Sequence, residues 1–406
     1  MYGNQSNGGR SGGNRVYSSR NHRQPQVKSI DPARFIKAAT AIKEVEVYDS
    51  KNTFADFGFS PRLAQNIISQ GYVTPTPIQD GGIPVVMSGR DLIGLANTGT
   101  GKTAAFLLPI MHRMLNGEAT RTLIMVPTRE LAVQIEEEFR KFGAGLPLRS
   151  ALVVGGASIG KQLAQIGRQP QFIIGTPGRL KDLIENYGLK FDGFSTLVLD
   201  EADRMLDMGF IRDIRSILDH FPPNRHTLFL SATITPEIQG LTSTILNNPE
   251  TISVRKGETS DHVNQDVIYV DGKEAKEDKL AELLKDPAFT KVLVFGDTKW
   301  GVQKLADRLE QRGFKVAAIH GNKSQPQRQR ALNDFKADRV QALIATDVAA
   351  RGLDIPQVSH VINFDPPKIY EDYVHRIGRT GRAGHHGHAL TFVPTQRNAS
   401  PVPYRR

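Results

Sequence analysis

The chain has 406 residues, of which 39% are hydrophobic, and this is enough for about two or three domains with buried cores. Its formal net charge of +10 suggests a polyanionic partner, and the lack of cysteine excludes disulfide bonds and cysteine-ligated zinc. No apolar run approaches the roughly 20 residues of a membrane-spanning helix and no signal-peptide core is present, so we predict a cytoplasmic protein without membrane association.

The N-terminal segment, residues 1–30, is rich in Gly, Asn, Ser, Gln and Arg, and no acidic residue precedes Asp31. Such a segment buries too little apolar area to fold, so we predict a disordered basic tail. Two interpretations stay open: loose electrostatic contact with nucleic acid, or a solubilising leader. Asp31 followed by Pro32 is typical of a helix start, and we predict a short helix over residues 33–42 within a lead-in segment, residues 31–50.

An alternation of strand and helix patterns follows, over residues 51–254. Near-continuous apolar runs predict buried parallel strands at residues 92–95, 122–126, 151–154, 172–174, 196–199 and 227–230. A polar, glycine or proline cluster follows each run. In open α/β sheets the loops at the carboxyl ends of the strands form the ligand crevice, so we predict that these clusters make a binding site.

The loop after the first of these strands consists of small and polar residues: Ala96, Asn97, Thr98, Gly99, Thr100, Gly101, Lys102 and Thr103. Its glycines let successive backbone N–H groups converge on an anion at the start of a helix, whose dipole adds attraction. Lys102 can reach the outer phosphates of a nucleotide, and Thr103 can ligate Mg²⁺. Ala96 stands where the general pattern has Gly, so a glycine turn that binds no phosphate is the alternative.

Acidic residues follow the strand predicted at residues 196–199, in the order Asp200-Glu201-Ala202-Asp203. Asp200 is placed to hold Mg²⁺ on the phosphates, often through water. Glu201 is placed to act as the base that orients and deprotonates an attacking water. The alternative is an acidic surface turn.

A second series of strands begins after residues 255–264, which are polar, lack periodicity and are predicted to be a linker. The apolar runs are residues 267–270, 292–295, 316–319, 342–344, 361–364 and 389–393. The second lobe, residues 265–396, thus repeats the α/β architecture of the first without a phosphate loop, and a short basic tail, residues 397–406, ends the chain. Two similar lobes with one nucleotide loop indicate a site shared between the lobes.

The tetrapeptide at residues 200–203, with the phosphate loop before it and Ser231-Ala232-Thr233 after it, resembles the signature of the DEAD-box RNA helicase family of superfamily 2. Further motifs match in order: the adenine-reading segment from Phe54 to Gln79, Pro127 to Ala132, Gly155-Gly156, Thr176 to Arg179, Gln325 to Arg328, Ala345 to Asp347, Arg351 to Asp354, and His375 to Arg382. The resemblance covers residues 54–393. It implies two tandem RecA-like lobes, each a mostly parallel sheet flanked by helices.

The implied activity is that of an ATP-dependent RNA helicase, which couples ATP binding and hydrolysis to local duplex unwinding or to remodelling of RNA–protein complexes, with ATP and Mg²⁺ as cofactors. The implied catalytic residues are Lys102, Glu201, Arg379 and Arg382, and the implied Mg²⁺ ligands, partly through water, are Thr103 and Asp200. The implied ATP-binding residues are Phe54, Gln79, Thr98, Gly99, Thr100, Gly101, Lys102, Thr103, Gly352 and Asp354. Arg379 and Arg382 lie in the lobe without the phosphate loop, so they can reach ATP only when the lobes close.

The resemblance also implies an RNA surface across both lobes, formed by Thr128, Arg129, Gly156, Thr176, Gly178, Arg179, Gly321, Gln325, Arg328 and Thr346. Hydroxyls, cations and backbone N–H groups suit phosphates and 2′-hydroxyls rather than base edges, so we expect little sequence preference for single-stranded RNA and short duplexes. Asp203, Ser231, Thr233 and His375 are implied to couple the lobes, although Ser231 and Thr233 could simply be hydroxyls that end a strand. We expect a monomer with ribonucleoprotein partners.

Three features lie outside this pattern. Asp297 stands in a loop where the family often has Asn, and an acid there would repel a nearby phosphate. The histidines His385, His386 and His388 suggest a metal site, but their Gly-rich surroundings lack an acid and we favour a solvated loop. Trp300 is interpreted as a packing or surface residue at a helix start, and no role is assigned to it.

Two other functions are weighed against the helicase. An ATP-gated RNA clamp or annealing protein with little turnover would not need the intact set of Lys102, Asp200, Glu201, Arg379 and Arg382. A DNA-dependent motor could use the same fold, and only the resemblance favours RNA.

Overall fold

The computed structural model describes residues 30–39, 48–97, 99–254, 262–350, 355–381 and 386–395. These residues form two parallel sheets with helices between the strands, which confirms the predicted α/β fold class. Within the described ranges, none of the helices combines the length and apolarity that a bilayer crossing requires.

The first sheet contains seven strands among the described residues, in the order β3-β4-β2-β5-β6-β1-β7. Their bounds are β1 Leu92–Leu95, β2 Arg121–Met125, β3 Ser150–Val153, β4 Phe172–Gly175, β5 Phe194–Leu199, β6 His226–Ser231 and β7 Glu250–Ser253. All neighbouring strands pair in parallel. The carboxyl ends of β1, β2, β4, β5 and β6 therefore meet at one edge of the sheet, where the predicted ligand loops lie.

Nine helices of the described residues accompany this sheet: α1 Pro61–Ser69, α2 Pro77–Met87, α3 Lys102–Leu115, α4 Arg129–Phe142, α5 Ile159–Ile166, α6 Pro177–Tyr187, α7 Ala202–Asp207, α8 Ile211–Leu218 and α9 Pro236–Ile245. The central strands β4 and β5 are almost completely buried because both of their faces are covered. Buried side chains form one core around α2, α3 and α4 and another around α6, α7 and α8.

The second sheet has the order β10-β11-β9-β12-β13-β8, again with parallel neighbours. Its strands are β8 Val263–Tyr269, β9 Val292–Phe295, β10 Val316–Ile319, β11 Ala342–Ala345, β12 His360–Asn363 and β13 Gly387–Val393. Its helices are α10 Lys273–Leu283, α11 Lys299–Gln311, α12 Gln325–Lys336, α13 Asp347–Ala350 and α14 Tyr370–Ile377. The strand ends and helix starts again lie at one edge of the sheet.

The predicted lead-in helix over residues 33–42 is wrong within its described part. A short 3₁₀ helix, Pro32–Phe35, ends where Ile36 becomes extended, and Lys37 pairs with Gln265 of β8 in an antiparallel bridge. The reason is tertiary: Phe35 is 1% exposed and packs against Tyr373, with ring centroids 4.7 Å apart. This N-terminal segment therefore packs on the second sheet, although the first lobe follows it in sequence.

Candidate functional site

The phosphate loop leaves β1 and turns into α3 as the sequence predicts. Gly101, the residue before α3, has φ +93°, and an added Cβ would lie 2.4 Å from the Gln79 amide nitrogen, so both conformation and space require glycine. The Lys102 side chain is 7% exposed, and its ammonium donates to the Ala96 carbonyl over 2.8 Å. Thr103 lies one residue further along α3. The loop thus holds a buried cation at a helix N-terminus, which is an environment for an anion.

Gln79 links the adenine-reading segment to the phosphate loop. Its side-chain oxygen accepts from the Thr76 backbone N–H over 2.9 Å, and its side-chain nitrogen donates to the Gly101 carbonyl over 3.1 Å. The side chain is 1% exposed. A paired contact of this amide with adenine would therefore have to be made beside, or in exchange for, these internal bonds.

Phe54 lies in the core of the first lobe rather than on an open surface. Its ring is 7% exposed and meets the rings of Phe57 and Tyr72 edge-on. Asp80, next to Gln79, accepts from the Tyr48 hydroxyl over 2.6 Å and from the Asn52 side chain over 2.7 Å. Asp80 thereby fixes the segment that leads to Phe54, a role that the sequence analysis missed.

The acidic motif forms a buried group with Lys102 at the end of β5. Burial raises the pKa of Asp200 to about 6, the Lys102 ammonium opposes this rise, and the Glu201 charge adds to it. One Asp200 carboxylate oxygen accepts from the Glu201 backbone N–H over 2.9 Å. Glu201 has φ +51°, which is unusual for a residue other than glycine, and its carboxylate lies 2.8 Å from the Arg204 guanidinium. The geometry therefore turns two neighbouring acids toward different partners.

A divalent cation fits this group through its chemistry. Asp200 is a buried carboxylate beside the loop that holds Lys102 and Thr103, and Mg²⁺ is usually bound by one or two carboxylates together with substrate phosphates and water. Within the described ranges, no group of three or more His, Cys, Asp and Glu side chains could hold a metal ion by itself. The described histidines of the loop predicted to be solvated are therefore not part of such a group. One of them, His388, lies on β13, and its ring stacks on that of His360.

Asp203 connects the acidic motif to the end of β6. One of its carboxylate oxygens accepts from the backbone N–H groups of Ala232 and Thr233, over 3.0 and 3.1 Å, and from the Thr233 hydroxyl over 3.3 Å. The Ser231 hydroxyl donates to the Thr233 carbonyl over 2.8 Å. The structure therefore brings together three of the four predicted coupling residues. The fourth, His375, lies in the last turn of α14.

The predicted RNA-binding residues of the first lobe lie close together. The Arg129 guanidinium lies over the backbone of Gly155 and Gly156, and a Cβ on Gly156 would come within 2.2 Å of an Arg129 nitrogen. Burial lowers the pKa of Arg129 most, and the positive charges of Arg328 and Arg179 lower it further. Thr128 and Thr176 are the buried N-cap residues of α4 and α6, and a Cβ on Gly178 would meet nothing within 4 Å. Cations and accessible backbone thus share one surface.

This surface continues on the second lobe through Arg328. Its guanidinium lies 2.8 Å from the Glu130 carboxylate, and both side chains are buried. Gln325 is the first residue of α12, Gly321 has open space beside its Cα, and Thr346 lies between β11 and α13. The partner of Arg328, Glu130, lies in a motif recognised in the sequence, but it was not predicted as a site residue.

Arg376 is a further residue that the sequence analysis did not select. Its guanidinium makes two short contacts with the Asp347 carboxylate, 2.6 and 2.7 Å, and donates to the Asp365 carbonyl over 2.7 Å. Arg379 follows α14 and is 3% exposed, and its backbone N–H donates to the Arg376 carbonyl. Arg376 thereby joins the motif after β11 to the helix that precedes the predicted catalytic arginines.

Four predicted site residues lie outside the described residues: Thr98, Gly352, Asp354 and Arg382. Their implied roles stay predictions. The same holds for most of the predicted linker, residues 255–261.

The chain matches two protein-family models and is similar to known proteins over most of its length. The family model for the DEAD/DEAH box helicase matches residues 76–241, and that for the helicase conserved C-terminal domain matches residues 275–384. The chain is 46% identical over 345 residues to the ATP-dependent RNA helicase CshA of Limosilactobacillus reuteri, covering 84% of this chain and 69% of the relative. It is 45% identical over 343 residues to the DEAD-box ATP-dependent RNA helicase CshA of Geobacillus kaustophilus, covering 84% of this chain and 73% of the relative.

Solved structures show the same two-lobed arrangement. S. cerevisiae Dbp5 bound to RNA and ADP BeF3 superposes with a TM-score of 0.74 and 31% identity, over 84% of this chain and 89% of the other. Mss116p bound to ssRNA and AMP-PNP superposes with a TM-score of 0.76 and 28% identity, over 86% of this chain and 76% of the other. The predicted tandem RecA-like lobes are confirmed by this similarity.

Proposed function

The chain belongs to the DEAD/DEAH box helicase family and is an ATP-dependent RNA helicase, and we propose that its active centre is divided between its two lobes. The observation that carries this proposal is the buried group of Lys102, Asp200 and Glu201 at the carboxyl edge of the first sheet. This group supplies a cation, a metal-binding carboxylate and a base, whereas the predicted catalytic arginines lie in the other lobe. The same proposal includes domain bounds of 51–254 and 265–396, joined by a linker at residues 255–264, although Val263 and Asn264 of that linker already belong to β8.

The first lobe binds and orients the nucleotide. Backbone N–H groups of the loop around Gly99 and Gly101 face the phosphates, and Lys102 exchanges its contact with the Ala96 carbonyl for the outer phosphates. Gln79 reads the adenine edge while its bond to Gly101 ties base recognition to the loop. Thr103, and Asp200 partly through water, would hold Mg²⁺, which would neutralise charge on the phosphates.

Hydrolysis needs a base for water and positive charge on the transferred phosphoryl group. Glu201 accepts the proton of the attacking water, with its carboxylate oriented by Arg204. Arg379, and by family resemblance Arg382, stabilise the transition state when the lobes are closed, a contribution of about 10³ to 10⁵ in comparable enzymes. Gly352 and Asp354 are assigned to the ribose side of ATP, and Thr98 to the phosphate loop.

RNA binds the surface of Arg129, Gly156 and Arg179 on one lobe and Arg328 on the other. Because this surface offers cations and backbone groups, it contacts phosphates and 2′-hydroxyls and has little sequence preference. The RNA strand favours the closed lobes, and closed lobes favour ATP hydrolysis, so RNA and ATP bind cooperatively. Asp203, Ser231, Thr233 and His375 transmit closure between the sites. We also propose that the protein is a monomer that acts in the cytoplasm on ribonucleoproteins.

The test is phosphate release by the purified chain without nucleic acid, with single-stranded RNA, and with DNA of the same sequence. We expect stimulation by RNA and little by DNA. Equal stimulation by DNA would contradict the substrate, and RNA binding without release would favour the ATP-gated clamp. Lys102→Ala serves as the control for contaminating ATPases.

A further inference from the structure

Trp300 is the one tryptophan of the chain, and it is 72% exposed on the first turn of α11. The start of this helix is fixed, because the Thr298 hydroxyl accepts from the Gly301 backbone N–H over 3.0 Å. A large aromatic side chain at a rigid position that leaves its ring in water has no packing role. The residues around Trp300 therefore indicate what its exposed ring binds.

Trp300 shares a helix face with a residue that contacts the predicted RNA surface. Residues three apart on a helix are neighbours, so Gln303 lies directly after Trp300 on one face of α11. The Gln303 side chain and the His320 ring form a hydrogen bond of 2.9 Å. His320 is followed by Gly321, which is one of the predicted RNA-binding residues. The indole thus lies about one helical turn from that RNA-binding loop.

The surface around this face is cationic. Burial lowers the pKa of His320 most, and the positive charges of Lys323, Arg328 and Lys299 lower it further, whereas Asp307, which accepts from the Gln303 amide over 2.6 Å, opposes the shift. An uncharged imidazole surrounded by these cations leaves a positive surface that suits the phosphates of a nucleic acid. Asp297, which precedes α11, and Asp307 on α11 oppose a phosphate where they lie, but their charges do not oppose the neutral face of a base.

We infer that Trp300 is a platform on which one base of the bound RNA stacks, which extends the phosphate and ribose contacts of the second lobe. This inference rests on the proposed RNA helicase function. A nucleobase is the occupant that fits a single flat aromatic ring among cations, because aromatic stacking binds every base through its π-face. A protein partner would need a wider apolar surface, and among the described residues no other exposed large apolar side chain lies on α11 or in the loop after β10.

Stacking also changes the expected base preference. Purines stack more strongly than pyrimidines because their ring surface is larger. The remaining RNA contacts do not read bases, so the preference for a purine at this position comes from Trp300. We therefore expect oligoadenylate to bind more tightly than oligouridylate of the same length, and this difference disappears when the indole is removed.

The experiment uses the intact chain, a nonhydrolysable ATP analogue and single-stranded oligoadenylate or oligouridylate. Because Trp300 is the one tryptophan, selectively excited tryptophan emission reports on this position alone, and stacking quenches it. We expect Trp300→Ala to bind oligoadenylate about tenfold more weakly, which is within the range of base–aromatic stacking, and Trp300→Phe to keep most of the affinity. Tyr269→Ala is the matched control, because Tyr269 is 52% exposed on β8 and belongs to no predicted RNA surface.

The outcomes separate this inference from the function on which it rests. RNA-stimulated phosphate release by the parent chain, with emission unchanged by RNA and with Trp300→Ala binding like the parent, would overturn the platform and leave the helicase intact. That result is also the one expected if the indole bound a protein. A parent chain that neither binds RNA nor is stimulated by it would overturn both.

Discussion

Arg328 and Glu130 form a buried ion pair between the two halves of the molecule, with Nη2 of Arg328 2.8 Å from Oε2 of Glu130. Glu130 lies on α4 beside the first sheet, and Arg328 lies on α12 beside the second. Burial raises the pKa of Glu130, and the Arg328 charge opposes this rise. The pair forms only when the lobes are together, so its charges are desolvated by closure.

A double-mutant cycle tests this pair. Leaving one buried charge alone costs more than removing both, so Glu130→Leu and Arg328→Leu should each weaken RNA binding in the presence of an ATP analogue, by about tenfold or more. The variant that carries both substitutions should lose less affinity than the sum of the two single losses. Arg330→Leu on the same helix, where Arg330 is exposed, controls for loss of charge. Independent, additive losses would show that the two residues do not act as a pair.

Glu201→Gln should stop hydrolysis while keeping the shape of the site. The amide keeps a contact with Arg204 but cannot take a proton, so phosphate release should fall by about 100-fold or more, and RNA should remain bound with ATP. Single-turnover release and RNA dissociation measure the two effects. Glu137→Gln, an exposed glutamate on α4, is the control. Release at the parent rate would remove Glu201 as the base.

Asp203 should carry more of the coupling than the Thr233 hydroxyl. Its carboxylate accepts two backbone N–H bonds besides the hydroxyl bond, and a single hydrogen bond contributes about 0.5–1.5 kcal/mol. Asp203→Ala should therefore lose most of the RNA stimulation of ATP hydrolysis, whereas Thr233→Val should lose only a small part. The ratio of stimulated to basal turnover checks this. A larger effect in Thr233→Val would mean that the hydroxyl contacts the other lobe directly.

Gln79→Glu should weaken ATP binding through the phosphate loop as well as through adenine. The carboxylate keeps the acceptor for Thr76 but loses the donor to the Gly101 carbonyl, leaving two acceptors facing each other in a buried place. We expect the KM for ATP to rise by about tenfold. Gln65→Glu on the exposed face of α1 is the control. An unchanged KM would show that this bond is exchanged without loss when ATP binds.

His360 should make the second lobe less stable in acid. It stacks on Phe289, and burial followed by the His388 charge lowers its pKa to about 4. Between pH about 6.5 and about 4 the unfolded chain binds a proton that the folded chain does not, so the free energy of unfolding falls as the pH falls. The loss from about pH 7 to about pH 5 is on the order of 2 kcal/mol.

The measurement is denaturant unfolding of the parent and of His360→Gln at both pH values. The variant should lose that part of the pH dependence. His220→Gln, which changes an exposed histidine in the turn after α8, should keep it. Identical pH dependence in the parent and His360→Gln would contradict the shifted pKa.

Strands buried on both faces could be predicted because an apolar run is a local signal. The predicted bounds of β1, β9 and β10 agree with the structure. The edge strand β7, Glu250–Ser253, was missed because its alternate residues are exposed and its run is short. The sequence left open whether Trp300 is a packing or a surface residue, because its exposure depends on how α11 packs.

The sequence by itself determined the chemistry: a glycine loop with Lys102 and Thr103, acids directly after a strand, and arginines in a lobe without such a loop. Each of these features consists of residues that are neighbours along the chain, so it can be recognised without the tertiary structure. Only the tertiary structure decided that Phe35 packs against Tyr373 of the second lobe, 338 residues further along the chain, and that Arg328 meets Glu130. Such contacts depend on which surfaces lose water together when the lobes pack, and no spacing along the chain records that.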